Sequence, residues 1–339
     1  MRKNIPLLVI CGPTATGKTK LALKLARQFN GELVSADSRQ IYIGMNIGTG
    51  KDLPPDSKFT TYLPNHPLAK SSSCQIGFYA INSIPLWLYD VVKPNQKFSS
   101  FEYAKIAREV IDDIQQRNKL PIVVGGTGFY LKTLLDGLDT EGIEPNWQLR
   151  KKLNDLEVEE LRKMLKKIDP NKLSSMNKSD RNNPRRLIRA LEIAQGSNLP
   201  DGPLHRIETS KAGLSQKSKL QNCIIIGLTT AKETLCRRID LRIEKRIEQE
   251  IVHEIKKLLL QGYRWSNPGM NCLGYKEWKP HFKKKTTEEE AVKQWRFNEY
   301  NLAKRQLTWF KKDKKVKWFD IANSDYKKNI VITIRNFLK

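Results

Sequence analysis

The stretch Gly12-Pro13-Thr14-Ala15-Thr16-Gly17-Lys18-Thr19 decides the fold of this chain. It matches G-x-x-x-x-G-K-[ST], the phosphate-binding loop. The apolar run 7–11 precedes the loop, and a stretch with apolar residues at helical spacing follows it as far as Gly31. This order is that of a strand, a loop and a helix, whose N-terminus and loop N–H groups would face a phosphate. We predict an α/β protein with a P-loop NTPase-like parallel sheet core.

The loop predicts a di- or triphosphate ligand, but its motif does not say what happens to that ligand. Lys18 would neutralise phosphate oxygens, and Thr19 would hold Mg²⁺ through its hydroxyl. The predicted cofactor is therefore Mg²⁺. The residues predicted to bind the diphosphate are Gly12, Pro13, Thr14, Ala15, Thr16, Gly17, Lys18 and Thr19.

The charge of the chain points to a polyanionic partner. Its 339 residues carry a formal net charge of +25, and the last 39 contain 11 basic and 3 acidic residues. Such a balance indicates a nucleic acid most simply, although a basic proteome or plain solubility would produce the same excess. We expect no membrane partner, because no apolar stretch is long enough to span a bilayer and no basic amphipathic helix has a bulky apolar face.

The cysteines predict a reducing compartment. There are five, an odd number, and none forms a C-x-x-C pair. This pattern argues for the cytoplasm and against a zinc site or a disulfide framework.

Polar residues follow two of the predicted strands. Asp37-Ser38-Arg39-Gln40 comes after the strand 32–36, and Gly125-Gly126-Thr127 comes after the strand 121–124. Ligands of open α/β sheets bind beyond the carboxyl ends of the strands, so Asp37 and Thr127 would lie close to the phosphate loop. The alternatives are a turn or capping aspartate and a tight turn whose glycines serve only the backbone.

The stretch 53–90 ends in an aspartate, Asp90, whose role has two interpretations. The stretch 53–76 is rich in Pro, Ser and Asn, which predicts a long surface loop or an inserted lobe. The apolar strand 86–89 then ends at Asp90. Asp90 is either a Walker B carboxylate that helps to bind Mg²⁺ or an ordinary aspartate in a turn.

The centre of the chain predicts a second domain. Charged helical segments replace strand patterns over 139–213, so we expect a helical insert there. The core would comprise 1–138 and 214–339, with a basic C-terminal tail. Arg185, Arg186 and Arg189 of the insert would either bind phosphates or form a solvated face.

A long helix is predicted to open with a capping box of Thr230 and Glu233. Apolar residues step by four from 235 to 255, and arginines at 238, 242 and 246 run alongside them. Arg242 has no acid four residues away and is the best candidate for a ligand contact, whereas Arg246 would pair with Glu250 if the arginines were only structural. Cations and aromatics alternate over 304–317, a composition that suits RNA contact.

Together these blocks resemble the tRNA dimethylallyltransferases, also called tRNA isopentenyltransferases. The resemblance covers nearly the whole chain. The blocks that carry it are GPTATGKT at 12–19, SADSRQIYIGMNIGTGK at 35–51, VVGGTGFYLKTLLDGL at 123–138, NPRRLIRALEI at 183–193, LRIEKRIEQEI at 241–251, GYKE at 274–277 and AKRQLTWFKKD at 303–313.

The resemblance implies transfer of a dimethylallyl group from dimethylallyl diphosphate to N6 of the adenosine at tRNA position 37, in a cytoplasmic and monomeric enzyme. Asp37 would be the general base, and Thr19, Arg242 and Thr127 would act beside the reacting groups. The target base would be flipped out of its stack. The residues implied to contact tRNA are Asp37, Ser38, Arg39, Gln40, Thr127, Arg150, Arg185, Arg186, Leu187, Ile188 and Arg189.

The chain departs from the family at one place and leaves rival functions open. Family members usually carry a His-His pair where Leu86-Trp87 stand here, and the C-terminal zinc finger of eukaryotic members is absent, which indicates the bacterial type. The rivals are an ATP-binding P-loop kinase for a small metabolite, an isopentenyltransferase acting on free adenine nucleotides and a non-enzymatic RNA-binding protein.

Overall fold

The computed structural model describes residues 5–55, 57–62, 74–137, 146–197 and 222–339. Contacts divide the chain into two compact units, one of Met1–Leu135 with Leu220–Lys339 and one of Asp136–Lys219. The domain boundaries predicted next to 138 and 213 lie outside the described residues. We call the first unit the core unit and the second the insert unit.

The core unit is built on one eight-stranded sheet, with the order β3-β4-β5-β2-β6-β1-β7-β8. The strands from β5 to β8 in this order are all parallel, and β3, β4 and β5 form an antiparallel extension at one edge. The strands are β1 (Leu7–Cys11), β2 (Gly31–Ser35), β3 (Phe59–Thr61), β4 (Gly77–Ile81), β5 (Ile84–Trp87), β6 (Leu120–Val124), β7 (Cys223–Thr229) and β8 (Val316–Asp320).

Helices follow most of the parallel strands, as the alternating pattern of the sequence predicts. The α-helices of the described residues, in both units and in chain order, are α1 (Lys18–Phe29), α2 (Ser100–Gln116), α3 (Gly128–Asp136), α4 (Trp147–Leu153), α5 (Val158–Ile168), α6 (Pro170–Ser175), α7 (Lys178–Arg181), α8 (Pro184–Ser197), α9 (Lys232–Glu248), α10 (Ile251–Leu260), α11 (Lys279–Phe282), α12 (Glu288–Phe310) and α13 (Tyr326–Leu338).

Both faces of the sheet are buried, which explains why its central strands are apolar at most positions; Glu32 and Ser35 of β2 are buried polar exceptions. Along β1, Leu7 and Val9 face one hydrophobic cluster, and Leu8 and Ile10 face the other. Helices α2, α9, α10 and α12 pack on the first face, and α1 and α13 pack on the second. Polar residues of this sheet can therefore reach solvent or a ligand only where the strands end.

The predicted long helix after β7 is wrong in two respects. Its N-cap is Ala231 rather than Thr230, whose hydroxyl is buried with no hydrogen-bond partner among the described residues. The helix also ends at Glu248, and Glu250 adopts a left-handed conformation with φ 62° before α10 begins. Ile251 and Ile255, beyond the break, still pack in the first hydrophobic cluster.

The segment between α1 and α2 contains strands that the sequence pattern did not indicate. Strands β4 and β5 form a hairpin, and both turn residues, Asn82 and Ser83, have positive φ (50° and 66°), as a type I′ turn requires. Strand β3 pairs with β4 inside the predicted 53–76 loop, of which residues 56 and 63–73 lie outside the described ranges.

The basic C-terminal segment is part of the folded core. Strand β8 pairs in parallel with β7, and Ile330 and Ile334 of α13 are fully buried. The lysines between 311 and 315 are exposed in the turn that leads into β8. The predicted tail is thus an edge strand and a packed helix.

The insert unit has a hydrophobic core of its own. Its helices α4 to α8 bury a cluster that includes Leu161, Leu165, Leu187 and Leu191, each with no exposed surface. None of the five cysteines, all of which lie in the described ranges, forms a disulfide. Within the described ranges, no helix combines the length and the hydropathy that crossing a membrane demands.

A buried carboxylate fixes the amino-terminal end of β2. Both guanidinium nitrogens of Arg117 donate to Glu32, and Lys119 Nζ and Trp87 Nε1 donate to it at 2.7 and 2.9 Å. Burial by itself would raise the pKa of Glu32, but these hydrogen bonds outweigh burial and lower the pKa below its usual value. Trp87, one of the two residues at the family's His-His position, therefore has a structural partner here.

We expect Glu32→Gln to lower the free energy of unfolding by about 3 kcal/mol at neutral pH, because it removes the charge that these donors satisfy. A lowered pKa means that this stabilisation is present above the ordinary glutamate pKa of 4.5 and is lost as the pH falls through the folded-state pKa. Urea unfolding at a series of pH values tests this. The gap between the two proteins should close at acid pH, whereas the exposed Glu248→Gln should show no gap at any pH; a gap that persists at acid pH would disprove the interpretation.

Candidate active site

The phosphate loop lies at the carboxyl edge of the sheet, between β1 and α1. Three of its residues have positive φ: Gly12 (133°), Ala15 (61°) and Gly17 (83°). A Cβ on Gly12 would lie 2.4 Å from the carbonyl oxygen of Leu228, so only glycine fits there beside β7. The hydroxyl of Thr16 donates to Pro13 O at 2.9 Å and ties the loop together.

Lys18 turns back over the loop, where its Nζ donates to Pro13 O at 2.6 Å. Burial and, to a lesser extent, the positive charge of Arg242 lower its pKa to about 8, while the charge of Asp37 acts in the opposite direction. Arg242 and Asp37, two residues predicted for the site, therefore both affect the charge of Lys18. A bound anion would stabilise the charged form of this lysine.

Two arginines of α9 contact the phosphate loop. Arg238 Nε donates to Ala15 O at 2.7 Å, and Arg242 Nη1 donates to Thr14 Oγ1 at 3.2 Å. Arg242 also forms an ion pair with Asp52 at 2.8 Å. The sequence correctly indicated that Arg242 lacks an intrahelical partner, but its partner on a distant loop was not predicted.

The third arginine of the series serves a different purpose. Arg246 is buried, and its Nη1 lies 3.6 Å from Glu299 Oε1, so it does not take the Glu250 partner that spacing alone offered. Glu299 also pairs with Arg39 at 3.2 Å. This buried carboxylate of α12 thus links α9 to the segment that follows β2.

Asp37 begins that segment, and both interpretations of it fit the structure. Its Oδ1 accepts the N–H of Arg39 at 2.9 Å, which is the turn contact expected of a strand-end aspartate. The N–H of Ser38 donates to Thr127 Oγ1 at 3.0 Å. The residue is half-buried; the Arg39 N–H contacts its carboxylate, and the Ser38–Thr127 contact fixes the backbone next to it.

The glycine loop after β6 brings Thr127 to this place. A Cβ on Gly125 would lie 2.1 Å from Ala36 O, so the glycine is required for the close approach of the two strand ends. Gly125 therefore has the backbone role, whereas the ligand role of Thr127, whose hydroxyl accepts the N–H of Ser38, stays a prediction.

Gln306 is a site residue that the sequence analysis missed. Its Oε1 accepts the N–H of Thr14 at 2.8 Å, and its Nε2 donates to Gly126 O at 2.9 Å. One amide thus connects the phosphate loop to the glycine loop. The only signal in the sequence was its place in the block 303–313. Three residues later, the Trp309 ring packs against Gly128 and is 40% exposed.

Asp90 is not placed as a Walker B carboxylate. Strand β5 lies three positions from β1 in the sheet. Asp90 is buried, and it accepts hydrogen bonds from Lys51 Nζ at 2.5 Å and Tyr79 OH at 2.5 Å. Both carboxylate oxygens are therefore occupied, and the structural alternative applies.

The residues of the insert unit that are predicted to contact tRNA differ in their exposure and in their hydrogen-bond partners. Leu187 and Ile188 are buried in its core, so their side chains are not available to a ligand. Arg150 donates to Glu192 through two nitrogens, at 3.0 and 2.7 Å. The remaining arginines of the group lie on α8, where Arg185 and Arg186 are exposed and Arg189 is half-buried, Arg186 pairs with Asp180, and Arg189 pairs with Glu192.

Comparisons with known proteins agree with this geometry. The family described as IPP transferase matches residues 75–313, and the one described as isopentenyl transferase matches residues 5–72. The tRNA dimethylallyltransferase of Roseiflexus sp. (strain RS-1) is 34% identical over 98% of this chain and 99% of its own length. That of Halothermothrix orenii is 36% identical over 96% of this chain and 90% of its own.

Solved structures give the same result for the fold. The full-length tRNA isopentenylpyrophosphate transferase of Bacillus halodurans superimposes with a TM-score of 0.64 at 31% identity, covering 98% of this chain and 96% of that one. A eukaryotic dimethylallyltransferase, captured acting on tRNA, superimposes with a TM-score of 0.73 at 26% identity, covering 97% of this chain and 78% of that one.

Lys18 generates a pH prediction for anion binding. A bound diphosphate stabilises the charged amine, so the pKa of Lys18 rises above about 8 in the complex. Affinity for inorganic pyrophosphate should then be independent of this group below pH 8 and fall by up to about tenfold per pH unit above it. Calorimetry in buffers of different ionisation enthalpy should show proton uptake on binding above pH 8. Lys18→Met should abolish that uptake and the exposed Lys20→Met should retain it; equal uptake by Lys18→Met and wild type would contradict the assignment.

Proposed function

Because the chain belongs to the IPP transferase family, we propose that it transfers a dimethylallyl group from dimethylallyl diphosphate to N6 of the adenosine at position 37 of tRNA. The observation that carries the proposal is the meeting of two chemistries at one sheet edge. Cations and backbone N–H groups that suit a diphosphate surround the phosphate loop, and the Asp37 carboxylate leads the neighbouring strand-end segment.

The phosphate loop would bind a leaving group. As N6 attacks the allylic carbon, the carbon–oxygen bond breaks and its electron pair leaves with the diphosphate. Lys18 and Arg242 would stabilise the charge that develops on that oxygen, since donors fixed in advance cost no reorganisation during the reaction. Their present contacts with Pro13 O and Thr14 Oγ1 hold them on the loop that would receive the diphosphate.

Asp37 would remove the proton from N6. The lone pair of an adenine amine is delocalised into the ring, so a carboxylate that accepts the proton as the new bond forms makes the amine a better nucleophile. The contact of Ser38 with Thr127 and the ion pair of Arg39 with Glu299 would keep the carboxylate in place. Since the diphosphate leaves intact and Asp37 takes the proton, the reaction involves no phosphoryl transfer.

We also propose Mg²⁺ as the cofactor, held by the Thr19 hydroxyl together with the diphosphate. Mg²⁺ takes oxygen ligands and is commonly bound by few side chains alongside substrate phosphates. In the part of the chain that the structure describes, no group of three His, Cys, Asp or Glu side chains could hold a metal by itself, which agrees with shared ligation. Bound there, the ion would supply positive charge to the departing diphosphate.

The rival functions have less support. A metabolite kinase would require an acid for Mg²⁺, and Asp90 is instead committed to Lys51 and Tyr79. A non-enzymatic RNA-binding protein would leave Asp37 and Thr127 without a role. We propose a monomer that acts in the cytoplasm, because Lys18, Asp37 and Arg242 are supplied by one chain and none of the five cysteines, all of them described, forms a disulfide.

Asp37→Asn should lower the rate of dimethylallyl transfer to unmodified tRNA by roughly 10²–10⁴-fold, because an amide cannot take the N6 proton. The chain provides a matched control in Asp320, which is the last residue of β8 and accepts the N–H of Ala322 as Asp37 accepts that of Arg39. Asp320→Asn should keep the wild-type rate. Nucleoside mass analysis after incubation with dimethylallyl diphosphate and Mg²⁺ measures both. A folded Asp37→Asn with near-normal turnover would show that Asp37 is not the base.

The same assay tests the function itself. Dimethylallyl diphosphate should be consumed only when tRNA is present, with one diphosphate released for each modified adenosine, and tRNA with another base at position 37 should not react. ATP should remain intact throughout. Splitting of ATP coupled to a small acceptor, with no change in any tRNA nucleoside, would replace the proposal by the kinase.

We further propose that the α8 arginines bind tRNA phosphates, chiefly through the exposed Arg185. Each neutralised phosphate adds about 0.7–0.9 to the slope of log affinity against log salt. Arg185→Gln should therefore weaken tRNA binding and reduce that slope by about 1, whereas Lys166→Gln, an exposed cation of α5, should leave it unchanged. Filter binding over a salt series distinguishes the two, and an unchanged slope for Arg185→Gln would refute the contact.

A further inference from the structure

The loop Gly44–Asp52, which we call the 44–52 loop, holds Arg242 from outside the phosphate loop. The carbonyl oxygen of Gly50 accepts from Arg242 Nη2 at 3.0 Å and from Gln40 Nε2 at 2.9 Å. Asp52 pairs with the same Nη2 at 2.8 Å. Gly50 has φ 65°, and a Cβ there would lie 2.0 Å from Arg246 Nη2, so the backbone itself contacts the guanidinium groups. The direction of the Gly50 carbonyl thus decides where Arg242 sits.

Lys51, between these two anchors, points the opposite way into the protein. Its side chain has no exposed surface, and its ammonium donates to Tyr42 O and Asn46 Oδ1, both at 2.9 Å, and to Asp90 Oδ1 at 2.5 Å. All three of its donors are used. Because Lys51 is flanked directly by Gly50 and Asp52, fixing its side chain fixes the two peptide groups that present those residues to Arg242.

Asp90 is the anchor of this arrangement. Its Oδ1 also accepts the N–H of Gly44 at 3.2 Å, and its Oδ2 accepts the hydroxyl of Tyr79 from β4 at 2.5 Å. Burial of Lys51 lowers the pKa of its amine, and the charge of Asp90 opposes that effect. The loop is therefore attached through a buried charge pair to the β4–β5 hairpin, at the far end of the sheet from the phosphate loop.

A second attachment restrains the amino-terminal half of the same loop. The carboxylate of Glu254 on α10 accepts the N–H groups of Asn46, Ile47 and Gly48, and it accepts the hydroxyl of Tyr275 at 2.6 Å. With this half held by Glu254, the Lys51–Asp90 pair determines the position of the half that meets Arg242.

We propose that the buried Lys51–Asp90 pair is a positioning element for Arg242: it orients Gly50 and Asp52, which hold the guanidinium against the phosphate loop for a diphosphate. Neither residue touches the ligand, and both act through the backbone of the 44–52 loop. The inference rests on the proposed function only in taking Arg242 as a diphosphate ligand.

A double-mutant cycle on inorganic pyrophosphate affinity, measured by calorimetry with Mg²⁺, tests the proposal. Arg242→Ala in the wild-type background removes a charge-assisted contact and should weaken binding by about 30-fold. The variant Lys51→Met/Asp90→Asn leaves no unpaired buried charge and is expected to fold. In that background Arg242 is no longer placed, so Arg242→Ala should cost less than about threefold. For tRNA turnover, the same variant should lower kcat and leave the KM for tRNA unchanged.

The matched control is Glu32→Gln, which also removes a buried carboxylate from this sheet but whose hydrogen-bond partners, Arg117, Lys119 and Trp87, lie outside the 44–52 loop. Its effect should be additive with Arg242→Ala. Additive effects in the Lys51→Met/Asp90→Asn background would overturn the proposal. If that variant does not fold, Tyr79→Phe, which deletes only the hydroxyl on Asp90, enters the same cycle with an expected coupling of about threefold.

The two proposals can fail separately. Pyrophosphate binding needs no transfer reaction, so a chain that leaves tRNA unmodified would overturn the proposed function while the cycle could still show coupling. Additive affinities in a chain that modifies tRNA would remove the positioning role and leave the proposed function standing.

Discussion

The structure depends on one constraint, which is that five strand pairings from β5 to β8 are all parallel. Their carboxyl ends must then meet at one edge, and both faces of the sheet must be covered by helices. Few polar groups lie within these strands, where Glu32 is buried with its own hydrogen-bond donors, and the others collect where the chain leaves the strands. The phosphate loop, the segment led by Asp37 and the loop led by Gly125 are the three exits that form the site.

The positive charges at this edge of the sheet are only partly neutralised by acidic side chains. Lys18 is affected by burial and by Arg242, which together lower its pKa to about 8. Asp52 and Glu299 each hold an arginine in place, whereas the phosphate loop 12–19 contains Lys18 and no acidic residue. A bound diphosphate would relieve the repulsion, so part of the binding free energy comes from unfavourable interactions that the folded protein carries before the ligand arrives.

The sequence predicted the local parts of this site because each has a local physical signature. Glycines at fixed spacing between a strand and a helix indicate a phosphate loop, whereas the capping box predicted from Thr230 and Glu233 was wrong. Asp90 is a residue whose role such local signatures do not determine. An acid at the end of an apolar strand is compatible with a metal ligand or with a buried ion pair, and only its contact with Lys51 separates the two.

By itself, then, the sequence determined the α/β core, the phosphate loop, the segment of Asp37 and the family that these blocks resemble. Only the tertiary structure decided which arginines reach the loop, that Arg246 turns inward to Glu299, and that Gln306 joins Thr14 to Gly126. Periodicity and capping act between residues a few positions apart, where the backbone fixes their geometry. Thr14 and Gln306 are 292 positions apart, and their contact exists only because the order of the strands brings α12 back to the phosphate loop.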